Sequence, residues 1–369
     1  MTDTSVKYFD STMSGAPSLS GTAGALIGVL DACLLDGFGS MTLNSLVVAS
    51  NVATATYSSG HGFAMIGNTG PVITIAGATP SGLNGQWRVT VTSTTQFTFA
   101  TSGISDQTAS GTITAKRAPA GWEKRYSGTN KAAYARLNLQ ATPMLLKIND
   151  SPAQYPTLIM YESMSDVDTG SGLAPTSGTF YTAKSETANT TARAWRIFAD
   201  DRSLYLFVKA DGTNWDSGLA FGDLISYKSG IDLYHAFLIA HSSASTKYFY
   251  LYEIGASTAS LLSRSYSQIG GAVALRRYAH PLNTYLGRGG ASYPSPAMDG
   301  FHGWPVEAWE NADVPRGLMP GLYSPVHANG TINDMTSISG VPQIDGGELL
   351  VVAVSSTPRA AFVLDRPWQ

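Results

Sequence analysis

The sequence predicts a mainly β protein: a large antiparallel β-sandwich domain, a small β-module inserted into it, and one N-terminal helix. Apolar and polar residues alternate over residues 45–116 in runs rich in Val, Ile, Thr and aromatic side chains. Turn clusters of Gly, Pro, Asn and Ser separate these runs. Charged residues make up only 13% of the chain, the hydrophobic content is 43% and the net charge is −3, which favours a folded protein with wide protein contacts over a disordered chain.

The first 43 residues are predicted to form an N-terminal arm and a helix. Residues 1–19 are interpreted as extended and exposed, either gripping a neighbouring subunit or forming a poorly ordered terminus. A helix is predicted over residues 20–36, with Ser20 as its N-cap and Gly37 closing it. Its apolar stripe includes Cys33, interpreted as a buried structural thiol because no His or cation lies near it in sequence.

The inserted module is predicted over residues 44–117. Five to seven short strands in such a stretch fit a small antiparallel sandwich or barrel. The alternating runs are residues 51–58, 72–76, 86–92, 96–100 and 111–116. The helix before the module and residues 118–369 after it are predicted to belong to one larger domain.

The module resembles the small Ig-like β-modules carried by structural proteins of tailed bacteriophages. The resemblance covers about a fifth of the chain and is carried by residues 51–56, Gly60-His61-Gly62, 72–78, 83–85, 89–91, 95–99 and 111–113. It implies an Ig-like fold and a tail, baseplate, fibre or decoration protein, and it implies no catalytic residue. Residues 7–13 and 317–323 also resemble phage virion proteins of the prophage type.

The large domain is predicted to be an antiparallel sandwich of longer strands. Asp200-Asp201-Arg202 is predicted to turn a hairpin, and residues 242–245 a second one; residues 317–323 are interpreted as a turn-rich collar. The predicted strands are residues 158–162, 194–199, 203–209, 235–240, 247–253, 349–354 and 360–365.

Composition argues against several classes of function. The near-neutral charge gives no electrostatic footprint for nucleic acid, and no apolar run is long enough to span a membrane. One cysteine excludes an internal disulfide framework, and the N-terminus does not favour a signal peptide. A basic stretch over residues 116–136 is interpreted as a solvated face or a subunit contact.

The titratable residues predict no catalytic, cofactor or metal site. The six histidines lack the close spacing of a zinc site, although His235 and His241 are an even number of residues apart on one predicted strand. Carboxylates cluster at residues 162–168 and 200–201, where a glycosidase would need two of them facing one another across a cleft. The sequence contains no nucleophile elbow, P-loop or Rossmann fingerprint.

One loop is a candidate receptor or interface contact. It combines aromatic and charged residues with many Gly and Pro residues, and aromatic side chains on rigid loops stack on sugars or anchor protein interfaces. The candidate residues are Arg288, Tyr293, His302, Trp304 and Trp309. The alternative, which the sequence favours, is that Trp304 and Trp309 fill the core at one end of the sandwich.

Together these observations predict a non-enzymatic structural component of a tailed-phage virion, in the tail tip, baseplate or fibre, assembled in the host cytoplasm. Its predicted partners are copies of itself and other virion proteins, and the resemblance to phage virion proteins implies a trimer or a hexameric ring. The alternatives are an adhesin that binds a host glycan or pilus, a capsid decoration protein, and a polysaccharide depolymerase. The absence of a long repetitive β-helix pattern argues against the last of these.

Overall fold

The computed structural model describes residues 3–228, 230–244, 249, 251, 258–278, 303–311, 314–325, 332–353 and 359–368. The chain is mainly β, its strand pairs are antiparallel, and the described residues contain one α-helix. The predicted fold class is therefore confirmed at the level of a mainly β, antiparallel protein. In the described ranges, no helix has the length and apolar character that a membrane crossing requires.

Ten strands lie within the described residues 3–117. A π-helical turn, Ala32–Asp36, follows the α-helix, and a 3₁₀ turn, Ser81–Leu83, precedes the sixth strand. In chain order the elements are β1 Lys7–Asp10, α1 Ala25–Asp31, β2 Phe38–Thr42, β3 Ser45–Ala49, β4 Val52–Thr56, β5 Val72–Ala76, β6 Gly85–Arg88, β7 Thr90–Val91, β8 Gln96–Ala100, β9 Gln107–Thr108 and β10 Thr114–Arg117.

The remainder of the described chain is built from strands and one 3₁₀ turn, Pro342–Ile344. The strands are β11 Trp122–Gly128, β12 Lys131–Arg136, β13 Leu145–Asn149, β14 Thr157–Tyr161, β15 Ser163–Met164, β16 Gly170–Ser171, β17 Phe180–Tyr181, β18 Trp195–Ala199, β19 Leu204–Val208, β20 Ser217–Asp223, β21 Ile225–Ser226, β22 Ala236–His241, β23 Thr258–Leu262, β24 Val273–Tyr278, β25 Gly303–Glu310, β26 Val314–Pro325, β27 Thr336–Val341, β28 Gly347–Ala353 and β29 Arg359–Val363.

Residues 38–117, named here the 38–117 unit, form two sheets that pair with no other described strand. Their strand orders are β2-β10-β5-β6 and β7-β8-β4-β3-β9. Between them lies a separate core that includes Leu46, Ile73 and Phe97. Strands β4 and β8 bury alternate residues because only one face of their sheet is covered. The sheets include β2, although the predicted module begins only at residue 44. That the unit is an insertion and that it has an Ig-like fold stay predictions.

The chain enters and leaves the 38–117 unit at adjacent points. Gly37 has a φ of 72°, and a Cβ on it would lie 2.2 Å from the carbonyl oxygen of Arg117. The amide of Ala120 donates to Cys33 O at 2.9 Å, and that of Gly121 donates to Leu34 O at 3.0 Å. Adjacent ends are the geometry that an inserted module requires.

The rest of the described chain, named here the body, is organised around strands that are buried on both faces. In β18 and β19, Ile197 and Leu206 face a core shared with α1 and with β12 to β14. Their neighbours Phe198 and Phe207 face a second core shared with β28 and β29. Burial of both faces explains why β18, β19 and β22 are nearly continuous apolar runs instead of alternating ones.

The helix differs from its prediction at its beginning. It begins at Ala25 with Gly24 as N-cap, and Ser20 makes no capping bond. The capping acceptor is Asp150, whose Oδ2 accepts from the amides of Leu26 at 2.8 Å and Ile27 at 3.2 Å. The predicted end at Gly37 and the burial of Cys33 are confirmed. Burial also raises the pKa of the Cys33 thiol.

The predicted exposed arm is wrong for its central part. Strand β1 pairs with β18 of its own chain, from Lys7 opposite Ala199 to Asp10 opposite Arg196. Val6 and Phe9 are buried beneath it. This strand covers a sheet edge that would otherwise expose unpaired backbone groups.

Three further predictions concern the body. The predicted collar at residues 317–323 lies inside the twelve-residue strand β26, so it is wrong as a turn. The hairpin between β18 and β19 across Asp200-Asp201-Arg202 is confirmed. Strand β22 pairs with β20 and β23, while most of residues 247–253, its predicted hairpin partner, lie outside the described residues.

Candidate functional site

A cavity of about 310 Å³, named here the junction cavity, lies where β1 meets the 38–117 unit. Strand β1 and the residues after it form one wall, and the turn around residues 62–72 forms another. Arg88 and Arg117 contribute from the ends of β6 and β10, and Met335 and Leu364 from the C-terminal part of the body. The cavity therefore lies at the contact between the two parts of the chain.

Arg88 connects the 38–117 unit to the N-terminal segment. Its guanidinium donates to three backbone carbonyls: Asp3 O at 2.6 Å, Val6 O at 3.0 Å and Gly70 O at 2.9 Å. Burial lowers the pKa of Arg88. Carbonyl dipoles solvate the cation but do not cancel its charge.

Arg117 is the more deeply buried of the two arginines, with 4% of its surface exposed. Its Nη2 donates to Gly62 O at 2.9 Å, and its guanidinium carbon lies 5.0 Å from the centroid of the Phe63 ring. Its Nε is buried and has no hydrogen-bond partner among the described residues. Burial lowers the pKa of Arg117 to about 10, although Asp10 and Tyr8 oppose that shift.

Lys7 is the third cation that lines the cavity, and it is 7% exposed. Its Nζ donates to Ser5 O at 3.2 Å. Burial lowers the pKa of Lys7 to about 8, against the opposing effect of Asp200 and Asp201. In the described part of the chain, Lys7, Arg88 and Arg117 make no ion pair.

Asp10 is the single carboxylate of the lining. Its Oδ1 accepts from the Thr12 amide at 2.7 Å and the Thr12 hydroxyl at 2.5 Å, and its Oδ2 accepts from the Tyr8 hydroxyl at 2.8 Å. Local donors thus occupy both of its oxygens. The lining as a whole carries an excess of positive charge, because three cations face one carboxylate.

A second polar contact fixes the 38–117 unit to the body on the side of β28. Glu348 is 4% exposed and accepts from the Asn68 amide at 2.9 Å. It also accepts from the hydroxyls of Thr69 and Ser337. Glu348 therefore joins a turn of the 38–117 unit to β27 and β28, and the unit is held at its chain ends, at Arg88 and at Glu348.

The described residues of the predicted contact loop, Trp304 and Trp309, do not line the junction cavity. Arg288, Tyr293 and His302 lie outside the described residues. Trp304 is 44% exposed on β25, so the alternative that it fills the core is wrong. Trp309 is half-buried; its Nε1 donates to Glu307 Oε2 at 2.9 Å and its ring centroid lies 5.6 Å from that of Tyr278.

The predicted carboxylate clusters make structural contacts. Both oxygens of Glu162 accept from Arg264 at 2.5 Å, and Asp168 pairs with Lys131 at 2.8 Å and with Lys147 at 2.9 Å. Asp200 Oδ1 accepts from the backbone amides of residues 202 and 203 within the β18–β19 turn. Burial raises the pKa of Asp200 to about 7.

The histidines within the described ranges also make structural contacts. His61 is buried in its Gly-His-Gly turn, where its Nε2 bonds Ser93 O at 2.9 Å and its Nδ1 accepts from the Phe63 amide at 3.0 Å. His241 bonds Ser217 Oγ at 3.2 Å, and burial lowers its pKa to about 4. The described residues contain no group of three potential ligands that could hold a metal ion.

The sequence interpretation missed the cations of the junction cavity. The basic stretch over residues 116–136 was expected to be a solvated face or a subunit contact, which is wrong for Arg117 and for Arg136, because both are buried within the chain. The alternation of residues along β10 indicates that Arg117 is buried. Ile113 and Ala115 occupy inward positions of the module, and Arg117 occupies the next inward position. An arginine at an inward position predicts a buried cation.

A scan of the chain against protein-family models found no match, and no curated protein matches its sequence.

Proposed function

We propose that this chain is a non-enzymatic structural subunit of a tailed-phage virion, in the tail tip, baseplate or fibre, and that it works by self-assembly and protein contacts. The resemblance of residues 51–113 to phage Ig-like modules is the starting point. The observation that carries the proposal is the firm attachment of a two-sheet unit to a larger β body, at its chain ends, at Arg88 and at Glu348.

Firm attachment matters because a subunit in a symmetric particle must present the same surfaces in the same orientation at every position. A unit joined only by two chain crossings would be free to turn about them. Hydrogen bonds from Arg88 to the N-terminal segment and from residues 68 and 69 to Glu348 oppose that rotation. The proposed partners are copies of this chain and other virion proteins, assembled in the host cytoplasm.

The contacts of the titratable residues favour a structural role over a catalytic one. The described carboxylate clusters at residues 162–168 and 200–201 bind cations or backbone amides, which are stabilising contacts. A catalytic carboxylate pair would need two such groups facing a shared cleft.

Purified particles provide the direct test. Phage particles would be banded on a density gradient from an induced culture of the bacterium that carries the gene, and their proteins quantified by mass spectrometry. We expect peptides of this chain in the particles, at the fixed stoichiometry of a subunit. We also expect that an antibody against the 38–117 unit binds at one location on the particle. A chain that stays in the soluble fraction, at the level of a contaminating cytoplasmic protein, would refute the proposal.

A receptor-binding adhesin is the second candidate function, and the exposure of Trp304 favours it. Exposed tryptophans on β surfaces stack on sugar rings and anchor protein contacts. The purified chain would then bind host cells, and Trp304→Ala would reduce that binding at least tenfold. The exposed Leu139→Ala is the matched control, since it removes a large apolar side chain elsewhere on the surface. Equal binding of host cells by both variants would show that Trp304 is not part of a receptor-binding surface.

A further inference from the structure

We propose that the junction cavity binds a small amphipathic anion, with a carboxylate or phosphate head group and a short apolar body. The proposal goes beyond the structural role and does not rest on it, because it concerns the isolated chain. Its basis is the combination of unpaired buried cations, an apolar wall and a suitable volume in one place.

The first observation is the charge of the lining. Three of the lining residues, Lys7, Arg88 and Arg117, are cations that make no ion pair in the described chain. The single lining carboxylate, on Asp10, is occupied by hydrogen bonds from Thr12 and Tyr8. Since burying a charge without a counter-ion is unfavourable, the lining favours an anion that brings the missing negative charge.

The second observation is the incomplete hydrogen bonding of Arg117. A guanidinium offers five N–H donors, and the hydrogen bond from Nη2 to Gly62 O is the one that the Arg117 side chain makes to a described residue. Planar carboxylates and phosphates are the acceptors that match a guanidinium best, because they accept two of its N–H groups at once. Arg117 is therefore the residue that we assign to the head group.

The third observation is the remainder of the lining, which is mainly apolar. Its apolar residues include Met13, Ala64, Ile66, Val72, Met335 and Leu364, beside the polar Tyr8, Thr12 and Thr69. An inorganic anion would leave this surface without a partner. A ligand with an apolar body buries it, and burial of apolar surface contributes affinity in proportion to its area.

The volume sets the size of the ligand. At about 310 Å³ the cavity lies at the lower end of the range for ligand-binding pockets, so it suits a small ligand. Octanoate is a ligand of that class. Octanamide has the same size and shape without the charge, so the pair of molecules separates charge recognition from apolar burial.

The test is calorimetric titration of the full chain at neutral pH with octanoate, octanamide, hexyl phosphate and inorganic phosphate. We expect octanoate to bind at least tenfold more tightly than octanamide. Comparison of octanoate with hexyl phosphate distinguishes the two head groups. Comparison with inorganic phosphate tests whether the apolar body is needed.

Variants locate the site. Arg117→Met should weaken octanoate binding at least tenfold, and Arg117→Lys should retain part of it because the charge is kept. Arg125→Met is the matched control, since Arg125 lies on β11 in an exposed pair with Glu123, and it should bind octanoate like the unmodified chain. Ile66→Trp fills the cavity while leaving all three cations in place, so it should abolish binding even if Arg117→Met fails to fold.

Two outcomes would overturn the proposal. Equal affinity for octanoate and octanamide would mean that the cations do not recognise the charge of the head group. Undiminished octanoate binding by Ile66→Trp would place the ligand outside the junction cavity. Neither outcome bears on the virion proposal, which is decided by the composition of purified particles.

Discussion

The buried cations of the body form ion pairs, whereas the cations of the junction cavity bind backbone carbonyls. In the body, Arg136 pairs with Asp223 at 3.1 Å and Arg316 with Asp232 at 3.0 Å, and all four side chains are at most 1% exposed. Lys184 pairs with Asp150, again with both side chains fully buried. At the cavity, Lys7, Arg88 and Arg117 donate only to backbone carbonyls in the described chain.

The difference separates a closed arrangement from an open one. In a buried ion pair the charge of the cation is compensated within the protein, and removal of the pair as a whole is often neutral. A cation held by carbonyls keeps its net charge, so its surroundings remain favourable for an anion. The body therefore contains buried ion pairs, whereas the junction cavity combines a cavity with buried cations that make no ion pair in the described chain. The predictions below test this contrast.

The largest expected effect is on the pair of Lys184 with Asp150. Lys184→Met should lower the free energy of unfolding by about 3–5 kcal/mol, because it leaves a buried carboxylate without its cation. Asp150 also caps α1 through the amides of Leu26 and Ile27, so the loss extends to the helix. Urea unfolding followed by circular dichroism measures the change.

Lys147→Met is the matched control for that variant. Lys147 is paired with an exposed carboxylate, on Asp168, so its loss should cost less than about 1 kcal/mol. If the free energy of unfolding of Lys184→Met lies within about 1 kcal/mol of that of the unmodified chain, the pair of Lys184 with Asp150 does not stabilise the body in the way that the contrast requires.

The next effect is a dependence of stability on pH caused by His241. Its side chain is fully buried, and its pKa falls from 6.5 to about 4 on folding. The unfolded chain therefore binds the proton first, so stability is fully present above pH 6.5 and is lost as the pH falls toward 4. The loss should reach about 3 kcal/mol across that window. Urea midpoints at several pH values, compared with those of His241→Gln, isolate this contribution.

Asp200 acts in the opposite direction and must be separated from His241. Its folded pKa is raised from 3.8 to about 7, so its contribution is present below pH 3.8 and is lost as the pH rises toward 7. The difference between the unmodified chain and His241→Gln cancels this shared term. A constant difference from pH 7 to pH 4 would contradict the assignment to His241.

A smaller effect is expected where Glu348 holds the 38–117 unit. Glu348→Ala removes an acceptor of charge-assisted hydrogen bonds from residues 68, 69 and 337, and should cost about 2 kcal/mol. The Asn68 amide should also exchange its hydrogen faster, because its acceptor is gone. Glu123→Ala is the control, since Glu123 pairs with Arg125 at the surface. Unchanged exchange at Asn68 would show that Glu348 does not fix the unit.

The sequence predicted strands to within a residue or two where alternation or a continuous apolar run marks them, namely β4, β5 and β8 in the 38–117 unit and β18, β19 and β22 in the body. It did not predict the N-terminus of α1, because the cap comes from Asp150, far away in sequence. It did not predict the pairing of β1 with β18 for the same reason. At the cavity, the inward position of Arg117 was readable, but the absence of a carboxylate beside it depends on contacts that only folding creates.

The smallest expected effect completes the contrast. Arg117→Met should change the free energy of unfolding by less than about 1 kcal/mol, in marked distinction from Lys184→Met, because no buried carboxylate loses its partner. The variant loses one hydrogen bond to Gly62 and a contact with Phe63, but it also removes the unfavourable burial of a charge. The same urea titration measures it. A loss of 3 kcal/mol or more would mean that Arg117 is compensated in solution, by Asp10 or by another group, and that the cavity offers an anion no unpaired cation.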